Sequence, residues 1–277
     1  LEGELGISIF TRSSRGVMLT SDGTELLGYA RQVVEQANML EARYEHNEAP
    51  QERLAVSAQH YAFSVQAFIN VVEACDAQKV EFTMRETTTA QIIDDVRAFR
   101  SEVGILYLDD FNRRVLEKAF ADARVSFHPL FNARVHVFVS ESHPLARKPS
   151  ICLEDLVPYT RYSFEQGTSN SFYFSEEPFS HIPCARNIRV SDRGTLTNLL
   201  TTSNGYALST GVLSSEMQSG MASIPLKEDA HMLVGYIVHD ERRPAPILTQ
   251  YLSELRRIIA DADRNGAVLI AEDGTSA

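Results

Sequence analysis

Three short stretches of the chain combine hydroxyl, amide and imidazole groups in a pattern suited to holding a small molecule. They are Ser57-Ala58-Gln59-His60-Tyr61, Thr87-Thr88-Thr89 and Gln166-Gly167-Thr168-Ser169-Asn170-Ser171. Each falls between a strand-like and a helix-like run, which would put side-chain donors beside the free N–H groups and positive dipole end of a helix. Such a set fits a polar or carboxylate-bearing metabolite. Ser57, Gln59, His60, Tyr61, Thr87, Thr88, Gln166, Thr168, Ser169 and Asn170 are the candidate ligand contacts, and Tyr107, ending another strand, is a candidate wall. Taken singly, each Ser, Thr or Asn is better read as an ordinary helix cap. It is their convergence at three strand ends that favours a ligand.

Catalytic chemistry has less support. The chain has no GxSxG elbow, GxxxxGK[ST] loop, HExxH or GxGxxG, and its eight histidines are scattered. His60 falls in the candidate cleft, where a lone histidine more often serves as a hydrogen-bonded wall than as a base. Asp94-Asp95, Asp109-Asp110 and Glu176-Glu177 are adjacent acids. Neighbours on a helix point about 100° apart, so these pairs read as solvated faces rather than acid/base couples. No metal-ligand spacing appears. Cys75, Cys152 and Cys184 are too widely spaced for a CxxC pair or a disulfide framework and are expected to be reduced, buried and inert.

A second group of polar residues has a different character. Ser13-Ser14-Arg15-Gly16 forms a turn between two strand-like runs, Ile7 to Arg12 and Val17 to Thr20, with Arg12 and Arg15 at its rim. Arginines at a hairpin tip contact phosphates or a narrow minor groove, and serines there donate to phosphate oxygens. Arg12, Ser13, Ser14 and Arg15 are therefore candidate DNA contacts, although exposed arginines also simply keep hairpins soluble. Any DNA contact must be local, because the net charge is -11 and the whole surface repels polyanions.

The elements that must position these groups follow from periodicity. Leu1 to Gly6 reads as a helix end closed by Gly6. From Ser21 a helix begins, with Thr20 or Asp22 as its cap, and Leu26, Ala30, Val33, Ala37, Leu40 and Tyr44 recur at alternating spacings of four and three. That heptad seam suits a partner helix in a dimer, while packing on its own domain fits the periodicity equally. Residues 45–51 read as a linker. Beyond it, strands and helices alternate to Ala260, which predicts a mostly parallel α/β sheet arrangement. Helices are expected at Phe63–Ala74, Gln91–Phe99, Arg113–Ala123, Ser171–Glu177, Leu196–Thr202 and Leu248–Ala260. With 277 residues, 44% of them hydrophobic, the chain can bury a sizeable core. No apolar run approaches the roughly 18 residues of a membrane span and no secretory signal opens the chain, so a cytoplasmic location is expected.

Leu1-Glu2, Leu5-Gly6, Phe10-Thr11-Arg12, Arg15-Gly16 and Leu19-Thr20 fall in a fixed order within Leu1 to Glu41. In that order they resemble the end of the recognition helix, the wing and the linker helix of LysR-type transcriptional regulators. The resemblance continues more loosely through Glu102 to Leu108, through Pro129-Leu130-Phe131 to His143-Pro144-Leu145-Ala146, and into Ser203-Asn204-Gly205-Tyr206-Ala207-Leu208. There Ser209-Thr210 replaces the family's usual Leu-Pro.

The resemblance implies an α/β fold with a two-lobed effector domain, like a periplasmic binding protein, preceded by the wing and linker helix of a winged helix-turn-helix domain. It implies that the helix-turn-helix lies just ahead of Leu1. The divisions would be 1–20 for the wing remnant, 21–50 for the linker helix and hinge, and 51–265 for the effector domain, with 266–277 as a tail. Lobe I would hold 51–126 and 230–265, and lobe II 127–229. Promoter DNA, a small effector in the shared cleft, and a homodimer or a homotetramer built from dimers are the implied partners, with no cofactor. Two rivals keep the same two-lobed fold. A solute-binding protein would need an export signal and has no use for a basic hairpin, and an enzyme would have to act through His60 or Ser57.

Overall fold

The computed structural model of the chain describes residues 1–13, 16–45, 52–76, 80–168, 171–212 and 219–264, and it divides into two compact units, Leu1–Gln51 and Glu52–Ala277. In the first, helix α1 (Glu2–Leu5) ends at Gly6, whose φ of 67° is the left-handed conformation a C-cap needs. Strands β1 (Phe10–Ser13) and β2 (Gly16–Leu19) pair antiparallel with Ser13 opposite Gly16. Helix α2 (Ser21–Glu45) follows. Thr20 rather than Asp22 caps it, since the Thr20 Oγ1 accepts the Gly23 N–H at 2.9 Å.

The second unit contains two five-stranded sheets. The first forms from β3 (Glu52–Ala58), α3 (Ala62–Ala74), β4 (Val80–Glu86), α4 (Thr89–Arg97), β5 (Val103–Leu108), α5 (Arg113–Ala123) and β6 (Val125–Arg134). The chain then builds the second sheet from β7 (His136–Ser140), the short α6 (Leu153–Leu156), β8 (Thr160–Phe164), β9 (Asn187–Val190), α7 (Arg193–Thr202), β10 (Gly205–Ser209) and β11 (Met221–Pro225). It returns as β12 (His231–His239) and closes with α8 (Pro246–Arg264). The sheet orders are β4-β3-β5-β12-β6 and β11-β7-β10-β8-β9.

Several expectations need correction. The sheets are mixed rather than mostly parallel: β3 lies parallel to β4 and β5, but β12 runs antiparallel to β5 and β6. The cause is the double crossing between lobes. β6 leaves the first sheet and β12 returns to it, so the two run in opposite directions, with Arg134 opposite His231. For the same reason the first crossing falls at Val135, not near residue 127, because β6 stays in the first sheet through Arg134. Ser171–Glu177 is not a helix but a single 3₁₀ turn, Phe172–Phe174. The three cysteines are free but half-buried rather than buried.

Each sheet carries apolar layers on both faces. Leu54, Val56, Val103 and Ile105 pack toward Phe63, Val71, Tyr251 and Leu255 of α3 and α8. On the opposite face Leu106, Leu108 and Ile237 meet Ile92, Val96, Leu116 and Phe120 of α4 and α5. In the second sheet, Phe138, Tyr162 and Ala207 pack on Leu200 of α7. Burial on both sides explains the continuous apolar run of β5.

The β12–β6 register shifts between Val234 and Gly235. A Cβ at Gly235 would meet the Phe127 ring at 2.2 Å and the His128 carbonyl oxygen at 2.5 Å. Gly235→Ala is therefore expected to cost about 1–3 kcal/mol by overpacking the crossing strands, read as a lower urea midpoint by circular dichroism.

Candidate functional site

The cleft is built where strand ends of the two sheets face each other. Gln59, fully buried just beyond β3, organises the first-sheet side. Its Oε1 accepts the Tyr61 hydroxyl at 2.9 Å and the Tyr107 N–H at 3.1 Å, which leaves its amide nitrogen to donate to the Thr89 Oγ1 at 2.7 Å. This ties the ends of β3 and β5 to the start of α4.

The other wall comes from the second sheet. The Thr89 N–H donates to the Gln166 Oε1 at 3.1 Å, and the Gln166 Nε2 donates to the Glu176 Oε1 at 3.2 Å. Glu176 in turn receives His60: the backbone N–H and the ring Nδ1 each lie 2.9 Å from its Oε2. Since Gln59 and His60 are consecutive, these bonds close a ring that crosses the cleft and returns. The His60 ring also stacks on Phe164, with centroids 3.8 Å apart and planes 5° from parallel. Two further ties join the lobes. Glu86 pairs with Arg193 at 2.9 Å, and the Phe111 ring stacks with those of Tyr173 and His181 at centroid distances of 4.7 and 4.1 Å.

The electrostatics follow from this burial. Burial opposes a charge on His60, but the hydrogen bond and negative charge of Glu176, helped by Glu86, outweigh it and raise the imidazole above its ordinary 6.5. Glu177, adjacent and fully enclosed, is pushed up to about 8, first by burial and then by the neighbouring Glu176 carboxylate. Its Oε1 accepts the Phe164 N–H at 2.7 Å.

The space left is uneven. Beside the His60–Glu176 pair there is a cavity of about 50 Å³, walled by Phe63, Phe138, Leu200, Leu208 and Met221. A larger one, about 410 Å³, lies at the crossing strands against Asp109, Phe111, Asn132, Phe179 and His231. Ligand sites usually measure about 300–1,000 Å³, so the strand-end cleft is closed around its own side chains.

The residues singled out from the sequence divide accordingly. Gln59, His60, Tyr61 and Gln166 meet in the cleft. Ser57 does not: its hydroxyl donates to the Asp95 Oδ2 at 2.7 Å, inside the lobe toward α4. Tyr107 belongs to the first-sheet core, with its hydroxyl held protonated by burial and then by Asp109, and it borders neither cavity. Thr87 follows the end of β4, where its N–H donates to the Ala58 carbonyl, and Thr88 is the N-cap of α4. Thr168 is exposed. Ser169 and Asn170 lie outside the described residues, as do Ser14 and Arg15. Arg12 and Ser13 end β1. Leu26, Ala30, Val33, Ala37, Leu40 and Tyr44 all fall on α2, with Val33 68% exposed, Ala30 and Ala37 open to solvent and Leu26 half-buried; the side chains of Leu40 and Tyr44 lie outside the described ones.

Glu176 and Glu177 are the residues that sequence reasoning misplaced. They are buried, not a solvated face. Their flanks, Phe172-Tyr173-Phe174 and Pro178-Phe179, were the available signal, because an aromatic-rich segment seldom lies wholly in water. The pair Asp94-Asp95 also splits, with Asp95 buried.

The role of Thr88 is testable in isolation. Its Oγ1 accepts the Gln91 N–H at 3.3 Å, so Thr88→Ala is expected to cost about 1 kcal/mol in urea denaturation through α4 alone.

Among the described residues, no group of three His, Cys, Asp or Glu side chains could hold a metal ion, and no helix is long and apolar enough to cross a membrane. Comparison with known proteins finds a family model, LysR substrate binding domain, matching residues 52–259. No curated protein matches the sequence. Among solved structures, the oxidized form of OxyR from Corynebacterium glutamicum is similar, at 18% identity and a TM-score of 0.52, over 96% of this chain and 82% of that one. HinK, a LysR family transcriptional regulator from Pseudomonas aeruginosa, aligns at 14% identity and a TM-score of 0.52, covering 92% of this chain and 84% of HinK. The effector binding domain of QuiR in complex with shikimate aligns at 17% identity and a TM-score of 0.51, covering 75% of this chain and 96% of the domain. At these identities the structural likeness speaks for the fold alone.

Proposed function

The chain belongs to the LysR-type transcriptional regulators, with its effector-binding domain at residues 52–259, and on that premise we propose that it is a cytoplasmic, promoter-binding regulator governed by a small molecule held between its lobes. The observation that carries this reading is the convergence of Gln59, Thr89, Gln166, Glu176 and His60 across the cleft. A ligand that makes better contacts with one lobe arrangement than with another shifts their populations, and the hydrogen-bond ring is the element it would bias.

The effector is polar or carboxylate-bearing, to match these donors. The hairpin of β1 and β2, with Arg12, Ser13, Ser14 and Arg15, is the proposed phosphate contact. The heptad seam of α2, where Ala30, Val33 and Ala37 are exposed, pairs with a second copy, giving a dimer, and two dimers would give a tetramer. An enzymatic role finds less support: the Ser57 hydroxyl is committed to Asp95, and the described side-chain hydrogen bonds of His60 run to Glu176.

The test is a metabolite screen by thermal shift on the full-length gene product. A ligand that raises the transition in wild type, but not in His60→Ala or Gln166→Ala, supports the cleft as the effector site. A ligand equally effective on both variants places binding elsewhere.

A further inference from the structure

We propose that Glu176 is a built-in occupant of the effector cleft: its carboxylate fills the receptor meant for the effector's own carboxylate, and the effector is a monocarboxylate with a small apolar body that displaces it. The inference rests on the reading of the cleft as an effector site.

Three donors converge on this one carboxylate: the His60 backbone N–H, the His60 ring and the Gln166 amide. They come from two lobes, so the anion they bind is also what holds the lobes together. The position is the start of α3, where the N-cap residue Tyr61 supplies no side-chain cap. A negative charge there interacts favourably with the helix dipole. His60 and Glu176 are each only 5% exposed at the side chain, so this is an enclosed receptor and not a surface ion pair.

Two further facts indicate a placeholder rather than a purely structural bond. Glu176 and Glu177 are both buried side by side, an arrangement that opposes ionisation of the second carboxyl and is costly unless the first is put to use. The cavity next to the pair measures about 50 Å³ and is mostly apolar: Phe63, Phe138, Leu200, Leu208 and Met221 wall it, together with the polar groups of Arg193, Thr197 and Thr210. If the Glu176 side chain swings out, its own volume joins that space. The result is a receptor that joins a carboxylate clamp to a mostly apolar pocket.

Truncation at Cβ turns this into an experiment that needs no knowledge of the effector. Glu176→Ala deletes a CH₂–COO⁻ group, and acetate is that fragment supplied from solution. Thermal transitions of the full chain are measured in sodium acetate against sodium chloride at equal ionic strength, with acetamide as the neutral isostere. The expected result is a saturable acetate-dependent rise in Glu176→Ala, by several degrees beyond any change in wild type. It should be absent with acetamide and abolished in the double variant with His60→Ala. A folded Glu176→Ala that responds no differently from wild type overturns the proposal. Glu176→Ser carries the same expectation if the alanine variant does not fold. Failure here leaves the effector reading to the metabolite screen, whereas an acetate response with an empty screen keeps the anion receptor and removes the effector.

Discussion

Replacing Glu177 by Gln is expected to remove most of the loss of stability that the wild-type chain suffers between about pH 5 and pH 8. In the folded state this carboxyl is held up at about 8 by burial and by Glu176, whereas in the unfolded chain it titrates near 4.5. Between those values the folded protein keeps a proton that the unfolded chain has released, so stability falls as pH rises. A shift of this size corresponds to on the order of 4–5 kcal/mol across the window. His60 acts with the same sign. Its folded value is raised, so its contribution is complete below the ordinary histidine value and is lost as pH climbs through the raised one. The amide introduced by Glu177→Gln would keep an acceptor for the Phe164 N–H while having nothing to ionise. Urea denaturation at pH 5, 6, 7 and 8, followed by circular dichroism because the chain has no Trp, should give a steep decline for wild type and a shallow residual one for the variant. Parallel curves would show that Glu177 does not titrate as its surroundings dictate.

Asp95→Ala is expected to destabilise the chain by about 3 kcal/mol, far more than Ser57→Ala at about 1 kcal/mol. Asp95 is 2% exposed, and its carboxylate accepts from Ser57, from the Gln91 amide at 2.8 Å and from the Arg100 Nε at 2.8 Å. Since the Ser57 hydroxyl gives its one proton to Asp95, the Ser101 hydroxyl, 2.8 Å away, donates to Ser57. Removing Asp95 strands this network in the lobe interior, whereas removing Ser57 takes away one neutral donor. Neither change should alter ligand binding in the cleft beyond its effect on stability. A selective loss of ligand affinity in a stable Ser57→Ala chain would return Ser57 to the cleft.

These two cases show which parts of the molecule were legible in the sequence. Periodicity marked β5 by its unbroken apolar run, α5 by its amphipathic spacing, and Gln59, His60 and Gln166 by their place after strands. It could not show which way a side chain at a strand end turns. Ser57 and Gln59 lie two apart on the same run, yet one serves the lobe interior and the other the cleft, because β3 ends between them and the chain bends toward α3. Glu176 and Glu177 were missed for a related reason. Adjacent acids carry no period, and only contacts distant in sequence, with His60 and with Phe164, make their burial tolerable. Strand direction was equally hidden, since a crossing strand such as β12 reads like any other buried run. The Met221–Pro225 strand went unseen because a five-residue run ending in proline carries little signal.

The most direct measurement is the affinity of the full-length gene product for DNA upstream of its own gene, across a salt series, with and without a ligand found in the cleft screen. For an effector-governed regulator, that affinity falls with salt and weakens in Arg12→Ala and Arg15→Ala. It also shifts several-fold with a ligand recovered chemically unchanged. A protein with no such affinity for DNA, or one that consumes the ligand and leaves DNA binding untouched, would contradict the regulator reading.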